Sequence, residues 1–161
     1  MDARAYALGL AKFTRGASES MLDGWPAEKH TYQSSRSDNH PIWVLGHLIT
    51  TDVWLASMVG AESVKVADNY SKLFGPGSTP SPNAGDYPSF AQLHEEFTKA
   101  RALLLSWYEK ATPEQLAMKV NAENFAVDAL DGLIKICWHE SWHFGQVAEL
   151  RKALNLPRKM G

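Results

Sequence analysis

The 161-residue sequence contains one cysteine, Cys137, so no disulfide can form within the chain. Cys137 lies in an apolar run, which predicts a small buried side chain and not a nucleophile. Clusters of lysine and arginine are missing and the formal net charge is −2, so we expect no nucleic-acid partner. The N-terminal segment lacks a long apolar stretch and no apolar span of about 18 residues occurs, so we expect neither a signal peptide nor a membrane span. We therefore expect a cytoplasmic protein without a membrane partner.

Sustained strand alternation is also missing, and four stretches show helical periodicity instead. They comprise residues 2–22, 38–60, 89–111 and 127–154. Asp38 or Asn39 is expected to cap the second helix, with Pro41 in its first turn. The pattern predicts an all-α fold with one domain over residues 1–161, an up-down-down-up four-helix bundle. A long irregular loop is expected over residues 61–87, between the second and third helices.

Two histidines of the last helix, His139 and His143, are four residues apart and therefore share one helix face. That face is mostly apolar, and burying two imidazoles is unfavourable unless their nitrogens find partners. Backbone carbonyls or waters are one possibility, and a metal ion is the other. His47, midway along the apolar second helix, is the candidate third ligand. Three histidines would leave an open coordination position, as in catalytic metal sites.

The segment HESWH also fits the zinc-protease pattern H-E-x-x-H, with Glu140 in the place of the catalytic base. Such proteases need a third ligand downstream, and the segment after His143 contains no histidine or aspartate. Its one acidic residue, Glu149, points about 240° away around the helix. The protease interpretation therefore fails. Glu140 lies about 100° from His139 and is expected on the helix surface or just behind the metal ligands.

Several other side chains are candidates for a substrate pocket. Trp43, Trp54 and Trp142 could form pocket walls, although core packing remains the alternative for each. His40, two helical turns before His47, is too distant to bind the same metal but could lie at the pocket mouth. Gln146, one turn past His143, is a candidate hydrogen-bonding partner of a ligand or of substrate, with packing as the equally weighted alternative.

The stretches NHPIWVLGHL, TPEQL and HESWHFGQVAELRKALNLP resemble motifs of the DinB/YfiT-like superfamily of bacterial four-helix-bundle metalloproteins. The last one is similar to the family pattern H-x-x-x-H-x-G-Q-[IV]-x-x-L-R. The resemblance implies a three-histidine site, His47, His139 and His143, for zinc, nickel or another divalent ion. It also implies a homodimer, because members of this superfamily are frequently dimeric.

Characterised relatives in that superfamily include thiol S-transferases and a mycothiol-dependent maleylpyruvate isomerase. The resemblance therefore implies a metal-dependent enzyme in which a low-molecular-weight thiol attacks an electrophilic small molecule. The ion would lower the pKa of a bound thiol or water, either of which is the expected nucleophile. Two alternatives stay open: metal-dependent hydrolysis, and a non-catalytic binding or stress-response protein that the metal stabilises.

Overall fold

The computed structural model describes residues 2–34, 39–120 and 125–159. Its helices are α1 (Ala3–Leu22), α2 (Pro41–Val59), α3 (Tyr70–Phe74), α4 (Phe90–Lys110), α5 (Pro113–Leu116) and α6 (Ala129–Ala153). Short 3-10 turns occur at Ala27–Lys29 and Ala84–Asp86, and an isolated antiparallel bridge joins Lys119 to Asp128. Within the described ranges there is no β-strand, so the predicted all-α class is confirmed.

The four long helices form a bundle in which α1 packs against α4 and α6, and α2 packs against the same two helices. Two contacts along each of three interfaces give the helix directions. Helices α1 and α6 are joined by Arg15–Glu140 and Met21–Arg151, and α1 and α4 by Lys12–Glu109 and Glu19–Thr98. Helix α2 and the residue before its cap are joined to α6 by His47–His139 and Asn39–Gln146. The first interface is parallel and the other two are antiparallel. Relative to α1, therefore, α2 and α4 run down and α6 runs up, which is the predicted topology.

The connection between α2 and α4 is long because these helices run in the same direction. It must return along the length of α2, which is about 28 Å for 19 residues at 1.5 Å per residue. The irregular loop expected over residues 61–87 is only partly irregular, since it contains α3 and the turn at Ala84–Asp86. Both are too short for their helical periodicity to be recognised in the sequence.

Helix α2 is the most buried of the long helices. It is long and apolar enough to cross a membrane, but 67% of its 18-residue apolar window is buried inside the bundle, as in the core helix of a soluble protein. Its N-cap is His40 and not Asn39, because His40 Nδ1 accepts a hydrogen bond from the Trp43 N–H at 3.1 Å. Asp38, the other expected cap, lies outside the described residues.

Gly46 allows the α2–α4 connection to pack tightly against α2. The ring of Phe74, which is fully buried at the end of α3, lies so close that a Cβ at Gly46 would be 2.3 Å from it. Any larger residue would push that ring, and the chain that carries it, away from the helix. The next residue of α2 is His47, so this close approach positions the connection beside the candidate metal ligands.

Candidate metal centre

The three histidines expected to bind metal come together between α2 and α6. His139 Nε2 lies 3.2 Å from His47 Nε2 and 3.0 Å from His143 Nε2. All three potential ligand atoms lie within 4.8 Å of one another. The antiparallel packing of α2 against α6 brings His47 to the level of the other two, which are one turn apart on α6.

Two of the rings donate a hydrogen bond from Nδ1, which leaves Nε2 unprotonated with a lone pair that can bind a metal. His47 Nδ1 donates to the Phe74 carbonyl at 2.7 Å, and His143 Nδ1 donates to Gln146 Oε1 at 3.1 Å. Gln146 Oε1 also accepts from Asn39 Nδ2 at 3.0 Å, which holds the amide in place. Partners of this kind orient the rings of metal-binding histidines and raise their basicity. Gln146 therefore contacts the candidate ligand His143.

Burial keeps the three rings uncharged at neutral pH. It lowers the pKa of His47, and with the neighbouring imidazoles it lowers the pKa of His139 and of His143 to about 4. His139 Nδ1 is buried without a hydrogen-bond partner in the described part of the chain. His139 Nε2 carries at most one hydrogen, so it can donate to either His47 Nε2 or His143 Nε2 but not to both. The cluster thus has an excess of acceptors over donors, which a cation would balance.

The geometry fits one transition-metal ion. Two nitrogens bound at about 2.0–2.1 Å to one ion are separated by about 3.0 Å in octahedral and about 3.4 Å in tetrahedral coordination. Two of the three nitrogen separations, 3.0 and 3.2 Å, match this range, and the His47–His143 separation is within 4.8 Å. Imidazole suits zinc, nickel, copper and iron, whereas magnesium and calcium prefer oxygen ligands. Three such ligands leave at least one coordination position open.

A cavity of about 590 Å³ adjoins the histidines and is lined in part by His47 and His139. Trp54 of α2 forms part of its wall. Trp138 of α6 and Phe125, which precedes α6, also line it and were not expected there. Their roles depend on where α6 and its preceding segment approach α2, which helical periodicity alone does not determine.

The other expected pocket residues lie elsewhere. Trp43 is buried, stacks on the His47 ring at 4.6 Å between centroids and donates from Nε1 to Ser78 Oγ, so it supports the ligand from the core. Trp142 is 58% exposed and does not line the cavity, but its ring lies 5.9 Å from the His143 ring and 5.7 Å from the Trp138 ring, between centroids. His40 is fully buried as the cap of α2, and its Nε2 donates to a backbone carbonyl at 2.9 Å.

The expected surface position of Glu140 is wrong, because the side chain is fully buried in the bundle. Arg15 Nε donates to its Oε1 at 3.0 Å, and Arg101 Nη2 approaches its Oε2 at 2.9 Å. Burial by itself raises the pKa of Glu140, but the charges of Arg101 and Arg15, with hydrogen bonds from Arg15 and Ser18, hold it below its usual value. A carboxylate bound in this way cannot serve as the base of a zinc protease.

The same arginines also bind Asp52, which completes a buried four-residue charge network with one member on each long helix. Arg15 Nη2 lies 2.9 Å and Arg101 Nη2 lies 2.8 Å from the Asp52 carboxylate. The network contains two positive and two negative charges, so it is neutral overall. A signal was present in the sequence, because Arg101 falls on the apolar stripe of α4 and Asp52 interrupts the apolar α2. Neither was expected to be buried.

Cys137 is buried as predicted. Its Sγ–H donates to the Leu133 carbonyl at 3.1 Å, and burial raises the pKa of its thiol to about 11. At neutral pH the side chain is therefore protonated and unreactive.

The fold and the site together define a helical-bundle protein with a candidate three-histidine metal centre between two antiparallel helices. The sequence model of the DinB superfamily matches residues 10–147, a range that includes all three histidines. The chain belongs to the DinB superfamily, as its motifs implied. A search of curated proteins found no significant match.

Proposed function

We propose that this protein is a divalent-metal-dependent enzyme that transfers a low-molecular-weight thiol to an electrophilic small molecule. His47, His139 and His143 would hold the ion, with zinc or nickel as the expected metal. The observation that carries the proposal is the convergence of three Nε2 atoms beside a cavity of about 590 Å³. Ligand sites of enzymes are commonly cavities of this size with a few convergent polar groups.

The residues of the chain have distinct parts in this proposal. The Phe74 carbonyl and Gln146 Oε1 orient two of the ligands, and a substrate that covers the aromatic residues of the cavity wall would exclude water from the site. When bound, the ion would lower the pKa of a thiol at its open position, so that the thiolate is present at neutral pH. Exclusion of water favours attack by a thiolate over attack by water.

In this proposal the nucleophile comes from outside the protein, which the state of the described residues Cys137 and Glu140 supports. Cys137 is buried and protonated, and both oxygens of Glu140 are bound by arginines. An external thiol and an external water are the two remaining possibilities, which is why hydrolysis stays the second candidate. A third candidate is a non-catalytic protein in which the ion only stabilises the packing of α2 against α6.

Three measurements on purified protein separate these candidates. Elemental analysis after purification without chelators tests for the metal, with His143→Ala as the depleted variant. His94→Ala, which alters a histidine of α4 outside the cluster, is the matched control. Conjugation of chlorodinitrobenzene to a panel of cysteine-derived thiols tests thiol transfer, and release of a chromophore from ester substrates without thiol tests hydrolysis.

Each outcome selects one candidate. Thiol conjugation that requires both the metal and the three histidines supports the proposed function, and ester turnover without thiol favours hydrolysis. Metal binding without either activity, together with a large fall in melting temperature on metal removal, favours the non-catalytic role. Protein that carries no divalent metal contradicts all three. The homodimer and the cytoplasmic location stay predictions, and light scattering of the purified protein measures the first.

A further inference from the structure

We infer that the cavity beside the three histidines selects an uncharged aromatic molecule, held by the rings of Trp54, Phe125 and Trp138. That this molecule is the electrophilic substrate rests on the proposed function. The preference of the cavity itself for such a ligand rests on its walls alone.

Three aromatic side chains from separate segments meet at this cavity. Trp54 comes from α2, Trp138 from α6 and Phe125 from the segment before α6. Trp54 and Phe125 pack edge to face, with ring centroids 5.5 Å apart and an interplanar angle of 83°. Aromatic rings favour edge-to-face and offset-stacked neighbours, so a flat aromatic ligand can extend this arrangement.

Trp138 is unusual because so large an apolar side chain remains 62% exposed. Trp54 and Phe125 are also only partly buried, so all three rings keep free surface. Contact with a ligand would cover apolar area that the folded chain leaves in water. The volume of about 590 Å³ lies within the range of small-molecule sites and is ample for a two-ring aromatic compound.

The polar groups of the wall give no cationic partner for an acidic ligand. Among the described residues that line the cavity there is no lysine, arginine, aspartate or glutamate. Thr50 and Thr51 also line it, but their hydroxyl groups donate to the His47 carbonyl at 2.8 and 3.0 Å, so towards a ligand they can only accept. The donors that the wall does offer, the Ser71 hydroxyl and the tryptophan N–H groups, are neutral, so a carboxylate between the rings would recover less of its lost hydration than it would beside a cation. Its one cationic partner would be the ion, where it would displace the thiol.

The test compares two probes that share a naphthalene ring and differ in charge, acetylnaphthalene and naphthoate. Calorimetric titration is carried out on the metal-free protein, so that no ion can bind the carboxylate of naphthoate, and is expected to show saturable binding of acetylnaphthalene. Naphthoate is expected to bind at least about tenfold more weakly, because the wall cannot compensate its charge. Naphthoate that binds as tightly as acetylnaphthalene, or acetylnaphthalene that shows no saturable binding, overturns the inference.

Trp138→Ala is expected to weaken acetylnaphthalene binding by about tenfold. Tyr6→Ala is the matched control, since this aromatic residue of α1 is similarly exposed at 58% and does not line the cavity. It should change the affinity by less than about twofold. Equal losses in the two variants would show that the rings do not hold the ligand. Trp138 is mostly exposed, so the variant should fold, and its circular dichroism spectrum checks this.

The preference of the cavity for an uncharged aromatic ligand can be tested separately from thiol transfer. Binding of acetylnaphthalene without any thiol transfer supports the cavity preference and contradicts the transferase. Thiol transfer that favours chlorodinitrobenzoate over the uncharged chlorodinitrobenzene supports the transferase and overturns the cavity preference.

Discussion

His139 and Glu140 are neighbours in sequence whose side chains point about 100° apart on α6 and have different partners. His139 lines the cavity and brings its Nε2 to 3.0 Å from that of His143, whereas Glu140 is fully buried with Arg15 and Arg101. HESWH therefore resembles a protease signature although its histidines and its glutamate have unrelated roles. One residue belongs to the candidate metal centre and the other to a charge network that joins the four long helices.

Replacing any one of the three histidines by alanine should reduce bound metal to well below one ion per chain. Two imidazoles without the third bind a transition metal much more weakly. Elemental analysis of His47→Ala, His139→Ala and His143→Ala measures this, with His94→Ala retaining the wild-type content. Full metal occupancy in any of the three variants would contradict the assigned ligand set.

Gln146→Leu should lower metal affinity by about tenfold to a hundredfold, because His143 loses the acceptor that orients its ring. Gln146→Glu keeps an acceptor oxygen in nearly the same place and should restore most of the affinity. Competition with a chromophoric chelator gives both values. Equal affinities in the wild type and Gln146→Leu would show that the hydrogen bond has no part in metal binding.

Glu140→Gln should lower the free energy of unfolding by about 3–5 kcal/mol, because it leaves the buried charges of Arg15 and Arg101 only partly compensated. Urea denaturation measures the change. Glu109→Gln is the matched control, since Glu109 pairs with Lys12 on the exposed surface and should have little effect. A similarly small effect at Glu140 would indicate that water enters the network.

The metal-free protein should lose stability as the pH falls from about 6.5 towards 4. The folded-state pKa values of His139 and His143, about 4, lie below the ordinary histidine value of 6.5, so in this range the unfolded chain binds more protons. The stabilising contribution of the neutral rings is complete above pH 6.5 and is lost through this window. Urea denaturation at several pH values tests this, and His139→Gln with His143→Gln should show a shallower dependence. Equal slopes would contradict the lowered pKa values.

Gly46→Ala should destabilise the fold by about 1–3 kcal/mol and weaken metal binding, because its Cβ would be 2.3 Å from the Phe74 ring. Displacing Phe74 also moves the carbonyl that orients His47. Gly145→Ala is the control, since a Cβ there meets nothing within 4 Å on the exposed face of α6. Alanine favours the helix at that position and should be neutral or stabilising by up to about 1 kcal/mol. Thermal unfolding and metal titration of both variants provide the comparison.

The helices and the histidine ligand candidates followed from local properties of the sequence. Apolar periodicity indicated the four long helices, and the spacing of His139 and His143 placed both on one face whatever their surroundings. The apolar neighbours of His47 indicated an inward position on a second helix. Backbone hydrogen bonding within a helix depends on nearby residues, so these features can be recognised without knowledge of the tertiary contacts.

The surroundings of those ligands were decided only by tertiary structure. Glu140 is buried because two arginines neutralise it. Arg15 is more than a hundred residues away in sequence and Arg101 is almost forty residues away, so no pattern local to Glu140 contains that information. The Phe74 carbonyl reaches His47 only because Gly46 leaves room for the connection. The cavity lies beside Trp138 because of where α6 meets α2. Contacts between distant segments depend on how the whole bundle packs, whereas helical periodicity is a property of each segment alone.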